Sequence, residues 1–387
     1  MTGNLDITIF DDMTSVEDAW RRLEADENCS LHQSYDWCNA WRLTNGMPLA
    51  IVFASLGGEP AFILPLEIVR NNVVRVAQFV GDRFSNINTG LFSPIFLDAP
   101  ESGRFAEIME HVAGLLAGRT DLVSLRNVPL VWRGVRSPLA QLPSVENQNS
   151  AFQLEIASSF QKTIARLDRK KRLKRFRNQT RKLEAAGGYD HIVATDAGDR
   201  HALLDRFFQQ KAERFRSRSL PNVFQAPETQ IFFHRLLDLE PIGRSKPLEM
   251  HALCLRGEHE GHIAAIAALS RKGDHVICQF GSIDESVLAE ASPGEFLFWL
   301  MIEQASARDV AIFDFGIGDQ PYKRAWCTRE TIHHDILLPV SQLGAFAALA
   351  HRGVTRTKAA IKEMPQVYAL LQRLRAKNWP RRGAQSS

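Results

Sequence analysis

The chain has 387 residues, of which 45% are hydrophobic and 24% charged, and its formal net charge is +3. This length suits two domains of ordinary size. The apolar content excludes a disordered chain, and the small net charge excludes a polycationic one. The five cysteines are odd in number and form no C-x-x-C pair, which excludes a disulfide framework and a cysteine-based zinc site, so we expect no metal.

A membrane segment is not expected either. The N-terminal residues include Asp6, Asp11 and Asp12 and lack the apolar core of a secretory signal. Apolar stretches such as residues 263–269, seven residues long, are too short to cross a bilayer. We therefore expect a soluble, cytoplasmic protein without an integral membrane segment. The sequence leaves its oligomeric state open.

The first half of the chain begins with helices and continues with short strands. Turns at Gly57-Gly58 and Asn71-Asn72 separate alternating apolar runs, which is typical of an antiparallel meander. The predicted elements are a strand at 5–10, helices at 15–24 and 34–43, strands at 49–56, 61–69 and 73–80, a helix at 104–118, and strands at 122–125 and 152–156.

The second half repeats this order. Its predicted elements are a helix at 158–186, a strand at 189–195, helices at 199–215 and 227–239, strands at 248–256, 261–271 and 274–282, a helix at 293–308, and strands at 310–315 and 332–339. The repetition predicts an α+β fold, mixed α/β, with two tandem lobes that each hold a twisted mixed sheet flanked by helices. We expect the lobes at 1–157 and 158–341 and a basic helical tail at 342–387.

A strongly basic helix opens the second half. Residues 162–182 carry eleven positive charges against one acid, Asp168. One interpretation is a solvated surface helix whose long stems cover the protein. The other is a contact with a phosphate-rich partner, either the pyrophosphate and 3′-phosphate of coenzyme A or a tRNA acceptor stem, in which Lys170, Lys171 and Lys174 bind phosphate.

Polar and aromatic residues follow two later elements. Ser292-Pro293-Gly294 opens an apolar helix, and its free backbone N–H groups can bind an anion. Ser292 is the expected N-cap. Asp314, between two phenylalanines, lies on a buried strand, and the loop after that strand contains Tyr322, Lys323 and Trp326. Loops that leave a sheet at this end often carry a ligand site.

These segments, in this order, resemble the BioF-like and CelD-type acyltransferases of the GNAT superfamily, which are related to the FemAB peptidyltransferases. The resemblance runs from about 158 to 327 and includes residues 207–215, Ser292-Pro293-Gly294 and the loop with Tyr322 and Lys323. Residues 33–37 and 79–81 resemble the N-terminal lobe of the same family. The resemblance implies two GNAT-like lobes and an acyl-CoA, such as acetyl-CoA, as co-substrate. Residues 287–294 contain one glycine, fewer than the pyrophosphate turn of ordinary GNAT acetyltransferases.

Acyl transfer requires that the acceptor lose a proton, that the acyl oxygen be stabilised and that the leaving group regain a proton. By analogy with FemAB-type enzymes, Lys323 is expected near the donor, where it can stabilise the developing oxyanion or hold a phosphate. Tyr322 can protonate the leaving group, or it simply packs at a strand end. Asp314 can act as base with a raised pKa if it faces the cleft, but it is structural if it pairs with Lys211 or Arg214.

The remaining candidates would contact the acceptor. They are Lys211, Arg214, Asp284, Glu285 and Trp326. We therefore predict a GNAT-like N- or O-acyltransferase that moves an acyl group from a CoA thioester to an amine or hydroxyl of a sugar, an amino acid or an envelope or polysaccharide precursor. Two alternatives stay open: an aminoacyl-tRNA-dependent peptidyltransferase, which would bind tRNA, and a non-catalytic accessory protein of polysaccharide synthesis.

Overall fold

Two twisted sheets with helices on their faces form the fold in the computed structural model, which describes residues 4–362. The helices are α1 Glu17–Glu24, α2 Tyr35–Asn45, α3 Pro94–Asp98, α4 Phe105–Leu115, α5 Phe160–Ala165, α6 Arg169–Ala185, α7 Ala197–Ser217, α8 Pro227–Asp238, α9 Pro293–Ser306, α10 Pro321–Trp326 and α11 Gln342–Lys362. The strands are β1 Leu5–Phe10, β2 Leu49–Leu56, β3 Glu59–Asn71, β4 Val74–Phe79, β5 Leu91–Phe92, β6 Leu122–Pro129, β7 Val131–Trp132, β8 Val135–Arg136, β9 Ser144–Glu146, β10 Ala151–Glu155, β11 Tyr189–Val193, β12 Lys246–Leu255, β13 Ile263–Lys272, β14 His275–Ile283, β15 Ile312–Ile317, β16 Arg329–Thr331 and β17 His333–Pro339.

The two sheets have the same pattern of pairing. The first has the order β1-β2-β3-β4-β6-β17-β9, with β5 beside β3, and the second has the order β11-β12-β13-β14-β15-β10-β16. In each sheet four antiparallel strands come first, the next strand is parallel to the fourth, and two antiparallel strands complete the sheet. The predicted mixed α/β fold with tandem sheets is confirmed.

Two strands lie in the sheet opposite to the one predicted. β10, expected in the first lobe, pairs with β15 and β16, and β17, expected to close the second lobe, pairs with β6 and β9. Each sheet therefore takes its sixth strand from the other half of the chain. Local sequence patterns carry no information about the partner of a strand, which explains the error. We propose a first lobe at 1–157, a second lobe at 158–341 and a tail at 342–387. In this division β10 completes the sheet of the second lobe and β17 that of the first.

The basic helix predicted at 158–186 is two helices. α5 ends before Arg166, and α6 begins after Asp168, whose carboxylate accepts the backbone N–H of Lys171 at 3.2 Å. An aspartate at the N-cap favours a new helix start because it satisfies one of the free N–H groups there. The same acid that stood out in the basic run therefore interrupts it.

An aromatic core joins the lobes. Trp37 and Trp41 of α2 pack edge-on against Phe232 of α8, with ring centres 5.3 and 5.1 Å apart. All three side chains are buried, and they belong to one cluster that also contains residues from the inner faces of both sheets. Helices α5, α6 and α9 cover the outer face of the second sheet. The second lobe thus packs directly against the first.

The loop predicted at 319–326 is partly helical, because Pro321 begins the short helix α10. Proline suits the first turn of a helix, where its missing N–H has no intrahelical acceptor. The predicted helical tail begins as α11, and the part of that tail at 363–387 lies outside the described residues.

Candidate active site

Strands β14 and β15 pair only at their beginning. The pairs are His275 with Ile312, Val276 with Phe313 and Ile277 with Asp314. Beyond Ile277 the backbone of β14 has no partner strand on this side among residues 4–362, and we call the opening between the two strands the wedge. Unpaired backbone groups in a wedge can bind an extended ligand by hydrogen bonds.

A β-bulge lies on the wall of the wedge. Phe280 pairs with Ala268 and Cys278 with Leu269, so Gln279 is the extra residue. Its side chain accepts a hydrogen bond from Asn86 at 3.2 Å, and the ring Nε2 of His32 lies 3.1 Å from its amide nitrogen. Bulges leave a residue unpaired and redirect the strand, and they are common beside active sites. The first lobe thus holds the bulge of the second.

Lys323 is buried beside the wedge. Its ammonium donates hydrogen bonds to the backbone carbonyls of Gly316 at 3.2 Å and Ile317 at 2.8 Å, which fixes the turn after β15. Burial lowers the pKa of Lys323, while the charges of Cys278 and Asp314 act in the opposite direction. The third N–H of the ammonium has no acceptor among the described residues.

The neighbouring Tyr322 packs against an aromatic wall. Its ring stacks on Phe298 of α9 at 5.4 Å and lies 6.4 Å from Phe315. Burial raises the pKa of Tyr322 above its ordinary value, and the charge of Cys278 adds to the effect. The phenol therefore keeps its proton at neutral pH.

Lys211 of α7 is the least compensated cation near the wedge. Its ammonium lies 5.7 Å from the ring centre of Phe207 and 5.6 Å from that of Phe215, and it has no carboxylate partner among the described residues. Burial, followed by repulsion from Arg214, lowers the pKa of Lys211 to about 8. Burial raises the pKa of Cys278 to about 11, while the charges of Lys323 and Lys211 act in the opposite direction, so both ammonium groups lie near this cysteine at the closed end of the wedge.

Asp314 does not match either prediction made for it. It is fully buried and accepts hydrogen bonds from Gln153 at 2.6 Å, from the N–H of Gly316 at 2.7 Å and from His275 at 3.3 Å. Burial opposes its ionisation, but the bond from His275 and the other donors outweigh burial and hold the pKa of Asp314 below its ordinary value. The raised pKa expected for a cleft-facing Asp314 is not found, and neither is the alternative pairing with Lys211 or Arg214, because Asp314 faces β10 and β14 and not α7.

The start of α9 keeps one of the free backbone donors that were predicted, the N–H of Gly294. The N–H groups of Glu295 and Phe296 both bond to the carbonyl of Ser292, while the N–H of Gly294 has no acceptor among the described residues. Ser292 occupies the N-cap position, but its hydroxyl forms no capping bond, and its φ is +51°. A left-handed non-glycine residue is strained, and such strain is often found at functional sites. Pro293 is buried beneath this turn.

Helix α6 lies against this turn. Arg172 donates to Glu295 at 2.8 Å, Arg175 pairs with the same carboxylate, and Lys182 donates to the carbonyl of Glu290 at 2.7 Å. The three predicted phosphate contacts are exposed on this helix and have no acidic partner among the described residues. They are Lys170, Lys171 and Lys174. The structure therefore brings the basic helix and the α9 N-terminus together.

Asp284 and Glu285, two of the predicted acceptor contacts, already face cations. Asp284 lies 3.7 Å from Arg206 and 3.5 Å from His262, and Glu285 lies 3.8 Å from Arg214. The pair therefore offers no free carboxylate to an acceptor, and Arg214 is likewise engaged. Of the predicted acceptor contacts in this region, Lys211 alone remains unpaired.

Trp326 is not placed to bind a substrate. Its ring is 1% exposed and packs on Trp299 at 5.9 Å, and the guanidinium of Arg172 lies 4.5 Å from its centre. The side chain points into the core beneath α6 because α10 turns the loop inward. Its ring instead packs against the guanidinium of Arg172.

Sequence reasoning missed the residues that shape the wedge. These are His32, Asn86, Cys278 and Gln279. Asn86 and Gln279 carry no local motif, and His32 directly precedes the family-like segment 33–37, which was the one available signal. Contacts between residues about two hundred positions apart leave no trace in periodicity or spacing.

Within residues 4–362, no three His, Cys, Asp or Glu side chains converge on a possible metal position. None of the helices in that part of the chain combines the length and apolar character needed to cross a bilayer.

Residues 170–324 match the model of the acetyltransferase (GNAT) domain, from the beginning of α6 to α10. This segment contains the wedge, Lys211, the α9 N-terminus and Lys323. The predicted resemblance to the GNAT superfamily is therefore confirmed for this segment. No curated protein matches the chain in sequence.

Two solved structures share the fold over most of both chains. The crystal structure of FemX has 10% identity and a TM-score of 0.59, and the match covers 86% of this chain and 97% of FemX. The C-terminal domain (DUF2156) of an Agrobacterium fabrum protein described as a lysylphosphatidylglycerol synthetase has 12% identity and a TM-score of 0.52, and the match covers 89% and 96%. At these identities the likeness is one of fold.

Proposed function

We propose that this protein is an acyltransferase that moves an acyl group from a CoA thioester to an amine or hydroxyl group. The acceptor would be a sugar, an amino acid or an envelope or polysaccharide precursor. The wedge within the GNAT-matched segment carries the proposal, because an open strand edge lies close to two lysines. Holding two substrates together in such an opening supplies much of the rate of a transfer reaction.

Coenzyme A fits the residues at the end of the wedge. The free N–H of Gly294 and the uncommitted hydroxyl of Ser292 can donate to a pyrophosphate at the positive end of α9. The exposed Lys170, Lys171 and Lys174 can supply further positive charge from α6. When bound, CoA would supply the acyl group in activated form as a thioester.

The chain's own residues divide the remaining tasks. Lys211, with a pKa of about 8, is partly neutral at slightly alkaline pH and can accept the proton of the acceptor. Tyr322 keeps its proton and can donate it to the leaving group. Lys323 can direct its third N–H toward the oxygen on which negative charge develops. Asp314 orients His275 and the Gly316 turn and is left out of the proton transfer.

A second candidate is an aminoacyl-tRNA-dependent peptidyltransferase. The exposed unpaired cations of α6 favour it, because several phosphates of an acceptor stem would neutralise them together. A thermal-shift and calorimetric comparison of acyl-CoAs with charged tRNA separates the two donors. Stabilisation by an acyl-CoA at micromolar concentration supports the main proposal, stabilisation by charged tRNA alone supports the second, and no response to either contradicts both.

A further inference from the structure

A cavity of about 200 Å³ lies at the far end of the second sheet from the wedge. It is bounded by the chain leading into β12, the end of β13 and the last turn of α9. Because α9 begins at the wedge and has 14 residues, the two places are roughly 20 Å apart at 1.5 Å per helical residue. The cavity is therefore separate from the candidate active site.

The cavity wall is strongly cationic. Arg244, Lys246, Arg271 and Arg308 line it, against the single carboxylate of Glu249. That carboxylate accepts hydrogen bonds from Lys246 at 2.8 Å, from the buried His251 at 2.9 Å and from Arg308 at 3.0 Å. Glu249 thus holds Lys246 and Arg308 in place, and Arg244 pairs with Glu27, so Arg271 alone of the four cations lacks a carboxylate partner among the described residues.

Arg271 is the cation without compensation. Its Nε donates to the carbonyl of Gly273 at 2.7 Å, and no carboxylate lies within ion-pair distance of it among the described residues. Burial and then the neighbouring Arg244 and Arg308 lower its pKa, because three guanidinium groups crowd one wall. Asp274 and Asp309 act in the opposite direction from farther away. A half-buried guanidinium in a cationic cavity favours an oxyanion ligand.

We propose that this cavity binds the phosphate group of an anionic ligand, with Arg271 as the central contact. The planar fork of a guanidinium matches the oxygens of a phosphate, and a ligand of this charge would relieve the repulsion among the three arginines. The size of the cavity suits a phosphate or pyrophosphate group and little more. The site is distinct from the one proposed for coenzyme A and does not depend on the acyltransferase assignment.

The test is calorimetric titration of the full chain with inorganic pyrophosphate. Arg271→Gln should weaken this binding about tenfold or more, since it removes a charge-assisted contact. Arg70→Gln is the matched control, because Arg70 also donates from its Nε to the carbonyl two residues onward at a hairpin end, that of Asn72 at 3.2 Å. The control should bind as the wild type does.

Pyrophosphate can also bind at the α9 N-terminus, so a variant with Lys170, Lys171 and Lys174 replaced by glutamine is titrated in parallel. The proposal requires a component of pyrophosphate binding that this variant retains and that Arg271→Gln loses. Absence of such a component overturns it, whatever the donor experiments show. If Arg271→Gln proves unfolded by its melting curve, Arg308→Gln on the cavity rim takes its place with the same expectation.

A second experiment identifies the kind of molecule to which the bound phosphate belongs. Phosphatidylcholine vesicles with and without phosphatidic acid are sedimented with the wild type and with Arg271→Gln. Sedimentation of the protein with the vesicles that requires both phosphatidic acid and Arg271 assigns the site to a lipid headgroup. Binding of pyrophosphate without such sedimentation assigns it to a small molecule. No effect of Arg271 in either experiment refutes the site.

Discussion

Two lysines near the wedge, the buried Lys323 and the half-buried Lys211, differ in how their charge is satisfied. Lys323 donates to two backbone carbonyls, whereas Lys211 lies over aromatic rings without an anionic partner. The first is equipped to hold a turn and the second to exchange a proton. Substitutions at the two positions should therefore have different consequences.

For Lys323 we predict a double effect. Lys323→Met should lower the single-turnover rate about 10²–10³-fold, as expected for one lost preorganised donor. It should also lower the melting temperature, because the carbonyls of Gly316 and Ile317 lose their partner, at a cost of about 1–3 kcal/mol for a buried unsatisfied group. Tyr322→Phe serves as the control for stability, since its hydroxyl has no partner among the described residues. A rate within a few-fold of the wild type would remove Lys323 from the chemistry and leave it a structural role.

For Lys211 we predict a pH dependence of stability that needs no substrate. Its folded pKa of about 8 lies below the ordinary value of 10.5, so the unfolded chain binds more protons between these two values. The free energy of unfolding of the wild type should therefore rise with pH across this range, and the rise should be absent in Lys211→Met. Parallel urea denaturation curves of the two proteins at pH 7.5, 9 and 10.5 measure this difference. Identical pH profiles would show that Lys211 is solvated normally.

The same group should also control the rate. If Lys211 accepts the proton of the acceptor, the rate of acyl transfer should increase with pH and level off above about 8, where the amine is neutral. Lys211→Met should lack this inflection and be slower by about 10²–10⁴-fold. A profile that keeps its inflection in the variant would assign the base to another group.

At the scale of elements, α6 and α9 form one unit. Glu295 in the first turn of α9 is held by Arg172 and Arg175, so the basic helix is fixed beside the free donors of Ser292 and Gly294. The unit presents its remaining cations to solvent. Its affinity for phosphate can therefore be altered without disturbing its packing.

For α6 we predict that replacing Lys170, Lys171 and Lys174 by glutamine weakens binding of the donor and leaves the melting temperature unchanged. If the donor is tRNA, the salt slope of binding should fall by up to about 3, since each phosphate contact releases roughly one counterion. Arg175 is kept intact because it pairs with Glu295. Unchanged binding of both donors would mean that α6 is only a solvated surface.

For α9 we predict that Gly294→Glu abolishes binding of CoA. A Cβ at this position would meet the side chain of Ile283 at 2.6 Å, and the new carboxylate would repel a pyrophosphate. Gly114→Glu on α4 is the control, because a Cβ there has nothing within 4 Å. Calorimetry that finds equal CoA affinity in both variants would move the pyrophosphate elsewhere.

At the scale of the whole molecule, the lobes are joined by exchange of strands and by a common core. β10 and β17 each complete the sheet of the other half, and Phe232 packs on Trp37 and Trp41 across the junction. Neither sheet is complete without a segment from the other half. The lobes are therefore expected to unfold together.

Phe232→Ala should reveal this coupling. Removing a buried phenylalanine typically costs about 3–5 kcal/mol, so the urea midpoint should fall as a single transition. Tryptophan fluorescence and far-UV circular dichroism should report the same midpoint. Phe346→Ala, at a side chain 71% exposed, should change stability by no more than about 0.5 kcal/mol. Two separate transitions would contradict a shared core.

The sequence by itself determined most of the elements and the class of the second lobe. Meander strands, helix caps and the order of α9, β15 and the Tyr322-Lys323 segment depend on local periodicity and turn chemistry, which are encoded within short windows. The tandem mixed sheets followed because the same order of elements occurs twice. The family match over 170–324 agrees with the predicted class of the second lobe.

Only the tertiary structure decided how these parts meet. The exchange of β10 and β17, the pairing of Asp314 with His275, the burial of Trp326 and the contact of Gln279 with His32 all join residues that are far apart in the sequence. Such contacts are chosen by competition among all possible partners in a close-packed interior, and no local pattern records the outcome. The charge state of Lys211 belongs to the same group, because burial and neighbouring charges set its pKa, and both exist only in the folded chain.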